Sequence, residues 1–128
     1  MTARPGFTII EVLVALMLLA VVLVGMQTAT GRFVGTVAAS DRQATAIQAA
    51  EDRIELIRTD PQYDQLENRY EKVETNIPEF PGFTRRTDIS TVRDSSSNGV
   101  THYTRVTVTV TGQGLAAPVE RTVTIGRP

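Results

Sequence analysis

Residues 7–26, FTIIEVLVALMLLAVVLVGM, carry one formal charge, Glu11, in twenty positions. As a helix rising 1.5 Å per residue this run is about 30 Å long, the thickness of a bilayer's hydrocarbon core, so it is long enough to cross one. A cleavable secretory signal is the nearest competitor, but its apolar core is about 7 to 15 residues long and ends at a small-x-small site. The stretch AVVLVG at 20–25 offers no such site. An ionised carboxylate within hydrocarbon costs on the order of 3 kcal/mol even on lenient insertion scales, so Glu11 calls for a compensating cation. No Lys or Arg lies in 7–26. The sources open to it are Arg4, a group from another molecule, or an α-amino group made by cutting the chain nearby. A milder reading places Glu11 at the interface in the first turn of a helix, where the dipole favours an acid by about 0.3 to 1 kcal/mol.

The remainder of the chain is polar. Twelve of the 13 basic and 13 of the 14 acidic residues follow Met26, giving this part a formal charge of −1, which offers no electrostatic reason for nucleic-acid binding. Cysteine is absent, which excludes a disulfide framework and thiolate metal ligands. After Met26 the composition turns rich in Ala, Gln and charge with no Pro until Pro61, so one helix is predicted over about 7–59. Phe33, Val37, Ser40, Ala44, Ile47, Ala50, Ile54 and Ile57 recur at spacings of three and four and predict its core-facing stripe. Asp41, Arg42, Gln48, Asp52 and Glu55 fall elsewhere and are expected to be solvated. Gly25, Gly31 and Gly35 weaken the helix, each by about 1 kcal/mol relative to Ala, or else admit close helix packing.

Segment 61–81 is weakly periodic and reads as a connecting loop with one short strand near 70–75. Strands follow at 82–92, 100–111 and 119–125, with DSSSNG at 94–99 as a hairpin loop. In HYTRVTVTVT, Thr104, Val106, Val108 and Val110 alternate with Tyr103, Arg105, Thr107, Thr109 and Thr111, the period-two pattern of a half-buried antiparallel strand. Val119, Val123 and Ile125 repeat it, with Arg121 on their face. The fold expected is α+β: a long N-terminal helix, its first half membrane-spanning, packed against a small antiparallel sheet of three to four strands.

The string GFTIIEVLVALMLLAVVLVG resembles the prepilin signal of type IV pilins and type II secretion pseudopilins, in which a short basic leader ends in Gly and is followed by Phe, Thr-Leu/Ile-Ile/Val-Glu and a long apolar run. The resemblance implies cleavage between Gly6 and Phe7, N-methylation of Phe7, and Glu11 as the acid that guides assembly. It also supplies a cation: the new amine of Phe7, set against Glu11 of a neighbouring subunit or, one helical turn away, of the same chain. The leader MTARPG has one basic residue, Arg4, where family leaders often have several, and Pro5 precedes the Gly. Thr28 stands where family filaments commonly have a helix-opening proline. The family's organisation implies a leader at 1–6, a transmembrane and assembly helix at 7–26, its amphipathic continuation at 27–60, and a loop and sheet of the globular head at 61–128. Implied partners are a prepilin peptidase/methyltransferase, other pilin or pseudopilin subunits and the bacterial inner membrane. The head would lie in the periplasm before incorporation into a pilus or pseudopilus. The helix end QAAEDRIELIR at 48–58 is most similar to minor subunits, of the PilV type or the pseudopilin I type.

No enzyme constellation is visible. His102 has no Ser or acid pattern around it in the sequence, and no phosphate loop or metal-ligand spacing occurs. An enzyme would need a pocket that gathers His102 with an acid. Asp88 and Asp94 flank the loop where some pseudopilins bind calcium, but two acids make a weak site, and no metal or cofactor is expected. Arg85, Arg86 and Phe83 form the one basic-aromatic cluster, expected to be an ordinary strand end. The competing reading of the whole chain is a single-pass membrane-anchored binding or sensing module that does not polymerise.

Overall fold

The computed structural model describes residues 6–96 and 99–126, and at 94, 96 and 99–101 the backbone alone. Its elements are helix α1 (Ile9–Arg58), a 3-10 turn (Tyr63–Gln65), a short helix α2 (Leu66–Tyr70), and strands β1 (Lys72–Glu74), β2 (Phe83–Ser96), β3 (Gly99–Gly112) and β4 (Val119–Gly126). The strands form one antiparallel sheet in the order β1-β2-β3-β4, each pairing with its neighbour in sequence. The class is α+β, with the second part of α1 packed on a four-stranded sheet. Contacts divide the chain into two compact units, 1–38 and 39–128.

In the second unit the core is built from Ala46, Ala49, Ala50, Ile54 and Ile57 of α1, Leu66 of α2, and Phe83, Ile89, Val106, Val108, Val110 and Val119 of the sheet, closed by Ile77 and Phe80. Ala46, Ala49 and Ala50 are fully buried, and the alternation seen in HYTRVTVTVT puts Val106, Val108 and Val110 fully inside. Arg121 does share the inward side of β4, and its Nε reaches Glu51 Oε1 of α1 at 3.1 Å instead of entering the core.

The buried helix face differs from the expected stripe. Ala46, Ala49, Ala50, Arg53, Ile54 and Ile57 are buried, Ile47 is half-buried, and Phe33, Val37, Ser40 and Ala44 are exposed. The expected positions average fewer than 3.6 residues per repeat, so on a straight α-helix the upstream ones rotate away from the face that Ile54 and Ile57 define. Segment 61–81 also corrects the sequence reading: it contains a 3-10 turn and α2 before β1. LENRY is too short and polar to show a helical period, and its helix is fixed by burying Leu66, which is 1% exposed.

Strands β2 and β3 run further than expected, to Ser96 and from Gly99, with Ser96 paired to Gly99; Ser97 and Asn98 lie outside the described residues. Helix α1 passes through Gly25, Gly31 and Gly35 without a break, and a Cβ at any of them would meet nothing within 4 Å. At the other end of the head, Gly82 and Gly114 have φ of 83° and 84°, a region glycine enters without strain. The Arg42 side chain runs past both, 5.6 Å from the Phe83 ring centroid, covering the core's edge with its stem. Gly112 is held to glycine by contact: a Cβ there would sit 2.6 Å from Phe83 Cδ1 and 2.9 Å from the Gly82 carbonyl oxygen.

Candidate assembly site and polar centre of the head

Gly6 and Phe7 precede the helix in non-helical backbone, and both are exposed. Thr8 caps α1. Its Oγ1 accepts from the Glu11 backbone N–H at 3.3 Å, and its carbonyl accepts from the N–H groups of Glu11 at 3.1 Å and Val12 at 3.2 Å. Thr8-Ile9-Ile10-Glu11 therefore has the spacing of a capping box, with the acid three residues after the cap, in the first turn where the helix dipole favours it. The cap was legible in the sequence as Thr-x-x-Glu ahead of an apolar run, and the reading above passed over it. Of the settings considered for Glu11, the structure of the single chain shows the first-turn one. Among the described residues no ion pair engages its carboxylate, and Arg4 lies outside them.

The surface around Glu11 is apolar on every side. Phe7 and Ile9 are each 82% exposed, and the large side chains through Met26 remain about half exposed or more. Helix α1 is long and apolar enough to cross a membrane, and none of its most apolar 18-residue window is buried within the chain. Phe7, Val12, Ala15, Leu16 and Leu19 form a shallow apolar depression that contains a single carboxylate, that of Glu11. Such a surface is stable in water only if something apolar covers it.

In the head the structure assembles a polar centre that the sequence reading missed. Arg53 lies on the buried face of α1 and is 5% exposed. Its Nε donates to Thr87 Oγ1 and its Nη2 to the Tyr70 carbonyl, both at 3.3 Å, while Nη2 stands 3.7 Å from Glu74 Oε2. Arg85 Nε donates to the same Glu74 oxygen at 2.9 Å, and its Nη1 caps the Ala49 carbonyl of α1 at 3.0 Å. Lys72 Nζ is 3.4 Å from Glu74 Oε1. Burial alone would raise the Glu74 pKa, but the Arg85 hydrogen bond and the charges of Arg53, Arg85 and Lys72 outweigh it and hold the carboxyl below its usual range. Desolvation lowers the Arg53 pKa, partly offset by Glu74.

A second carboxylate ties the chain after α1 to α2. Asp60 Oδ2 accepts from the Tyr70 hydroxyl at 2.6 Å and lies 2.7 Å from Arg69 Nη1; Oδ1 accepts from the Gln62 N–H at 2.9 Å. The Tyr70 hydrogen bond is the largest cause of the lowered Asp60 pKa, and reciprocally Asp60 raises that of Tyr70. The Tyr70 ring is flanked by Arg53 at 5.1 Å and Arg69 at 5.6 Å. The signal for this centre was spacing: Arg53 falls three residues after Ala50 and four before Ile57, on the core face of the helix.

The residues weighed for other chemistry are now placed. Arg85, Arg86 and Phe83 do not form one surface. Phe83 and Arg85 are buried on the inner face, and Arg86 points outward, its Nε 2.9 Å from both oxygens of Asp88. The Asp94 side chain lies outside the described residues, and among those described no group of three His, Asp or Glu residues is arranged to hold a metal. His102 does line a cleft with two acids, Asp64 and Glu67, beside Arg93, Tyr63 and Tyr103. The register sets His102 opposite Arg93, two pairs beyond the Thr91–Thr104 pair, so the cleft is polar at its rim and closes on Ile89 and Leu66.

Comparison with known proteins places one part of the chain. Residues 1–26 match the family model of the prokaryotic N-terminal methylation motif. The N-terminus thus carries the methylation motif found in type IV pilin-like precursors, and with the apolar helix it points to membrane anchoring. The chain matches no curated protein and no solved structure.

Proposed function

We propose that this chain is a structural pilin-like subunit, a minor pilin or minor pseudopilin. A prepilin peptidase/methyltransferase cuts it after Gly6 and methylates Phe7, and it packs through residues 7–26 into a type IV pilus or a type II secretion pseudopilus. The observation that carries this reading is the methylation motif at 1–26 coinciding with a helix long and apolar enough to cross a membrane. A helix that served only as a tether would have no use for the Gly-Phe-Thr-Ile-Ile-Glu string. The exposed Glu11, free of ion pairs among the described residues, is available to the Phe7 amine of a neighbour, where each charge would remove the cost of burying the other. Before assembly the subunit is a single-pass protein of the bacterial inner membrane with its head in the periplasm.

Mass spectrometry of the protein from its own cells tests this, with Glu11→Ala assayed beside it for incorporation into filaments. The expected result is a mature chain starting at methylated Phe7, and a variant that is processed but poorly assembled. An uncut chain in which Glu11 is dispensable would overturn the reading. It would favour a membrane-anchored binding or sensing module that does not polymerise.

A further inference from the structure

The apolar run at 7–26 is not the only stretch of its length that fits a bilayer. Between Glu11 and the next formal charge, Arg32, lie twenty residues, 12–31, with no Asp, Glu, Lys or Arg. As helix they too are about 30 Å long. The two candidate spans differ by five residues, about 7.5 Å along the axis.

Their polar content can be compared at equal depth. In the span 7–26, Glu11 lies four residues inside one edge; in the span 12–31, Gln27 lies four residues inside the other. A neutral amide near the boundary is less costly than an ionised carboxylate at the same depth. The remaining polar groups of 27–31 are hydroxyls already spent within the helix. Thr28 Oγ1 donates to the Val24 carbonyl at 3.2 Å, and Thr30 Oγ1 to the Met26 carbonyl at 3.0 Å. Internally bonded hydroxyls of this kind are tolerated in hydrocarbon because they leave no donor unpaired. Gly31 adds no side chain.

The flanks agree. With 12–31 embedded, Glu11 and its Thr8 cap stand outside the hydrocarbon on the side of Arg4, and Phe7, Ile9 and Ile10 sit at the headgroup boundary. At the far edge Arg32 is exposed and, among the described residues, makes no ion pair. It is followed by Phe33, Val34 and Val37, at 69%, 61% and 52% exposure, the aromatic and aliphatic groups that an interface accommodates. A guanidinium at that level matches phosphate in charge and in its fork of donors.

We propose that the lone subunit's bilayer-embedded segment is residues 12–31, fixed at its outer edge by the Arg32 guanidinium on lipid headgroup phosphate. This rests on the membrane-anchored reading above and deepens it by naming the lipid partner and the register.

The chain has no cysteine, so single-cysteine variants report one position each. Full-length protein carrying Ala20→Cys, Ala29→Cys or Val37→Cys is reconstituted at high lipid-to-protein ratio in phosphatidylcholine vesicles containing phosphatidylglycerol, and treated with a membrane-impermeant maleimide. Rates are normalised to detergent-solubilised samples and to Thr124→Cys in the exposed part of β4. Positions 20 and 29 are expected to label about ten-fold more slowly than 37, as hydrocarbon shields them. Position 29 labelling at the rate of 37 while 20 stays shielded would return the span to 7–26 and overturn the inference, with membrane anchoring intact. Position 20 labelling as fast as 37 would instead remove the anchoring itself. Adding Arg32→Gln to Ala29→Cys is expected to raise the labelling rate about three-fold or more as the phosphate anchor is lost; an unchanged rate would overturn the role of Arg32.

Discussion

Replacing Glu74 by Gln removes the one carboxylate shared by Arg85 at 2.9 Å, Arg53 at 3.7 Å and Lys72 at 3.4 Å. Arg85 and Lys72 retain other contacts with protein or water. Arg53, 5% exposed, keeps the Thr87 hydroxyl and the Tyr70 carbonyl but loses the one close anion it has among the described residues. Breaking a buried ion pair from one side costs about 3 to 5 kcal/mol. Glu74 is itself 21% exposed, and Gln still offers Arg85 an amide oxygen, so the loss is scaled down to about 2 to 3 kcal/mol. For a head of this size that lowers the midpoint of thermal unfolding by about 10 to 20 °C. The three tyrosines lie at 63, 70 and 103 and there is no tryptophan, so the tyrosine band in near-UV circular dichroism of the full chain in detergent reports on the head alone. Because the penalty is that of a stranded cation, Arg53→Met added to Glu74→Gln should cost less than the sum of the two single changes, with about 1 kcal/mol or more of coupling. A loss below about 0.5 kcal/mol for Glu74→Gln, or strictly additive changes, would refute the reasoning: the cluster would then behave as a surface ion pair.

Other outcomes follow from the same structure. Gly112→Ala pushes a methyl group against Phe83 and should destabilise the head by about 1 to 3 kcal/mol, measured by the same signal, while Gly35→Ala, with open space at its Cβ, should not. The carboxyls of Glu74 and Asp60, normally near 4.5 and 3.8, are both lowered in the fold, so the stability they contribute is present above those values and is lost as pH falls through the folded ones. Tyr70 is raised above its ordinary 10.0, so its contribution is present below pH 10 and is lost as pH rises through the folded value. A urea midpoint that stayed flat below pH 4.5 and above pH 10 would contradict both. A fragment beginning at Gly31 should be a soluble monomer by sedimentation, whereas the full chain should require detergent; aggregation of the fragment would show that the head needs the apolar half of α1.

Much of this fold could be read directly from the chain because its signals are local. The valines at 106, 108 and 110 alternate with threonines, and an alternation inside one strand names its buried face without reference to any partner. Helix α1 was visible for a similar reason, an absence of proline over fifty residues despite three glycines. What stayed hidden depends on partners far along the chain. Arg53 is an ordinary helix residue until β2 supplies Thr87, β1 supplies Glu74 and α2 supplies Tyr70, and α2 forms because Leu66 has a core to enter. At the N-terminus the capping box was local and legible. The positive group for Glu11 is named only through the prepilin resemblance, because under the proposed function it belongs to another molecule.

The order β1-β2-β3-β4 has a kinetic consequence. Every strand pairs with the next one in sequence, so the sheet grows by adding hairpins and no strand waits for a distant partner or threads past another. Contacts between near neighbours form quickly, and short loops are cheap to close. Helix α1 precedes all of them in the chain, so its face at Ala46, Ala49 and Ile57 is synthesised before any strand that covers it. In that interval the alanines leave little oily surface exposed, and the bulkier Ile54 and Ile57 sit at the end nearest the strands. Within the head, the bulkier apolar side chains of the helix face thus stay uncovered for less time than the alanines that precede them.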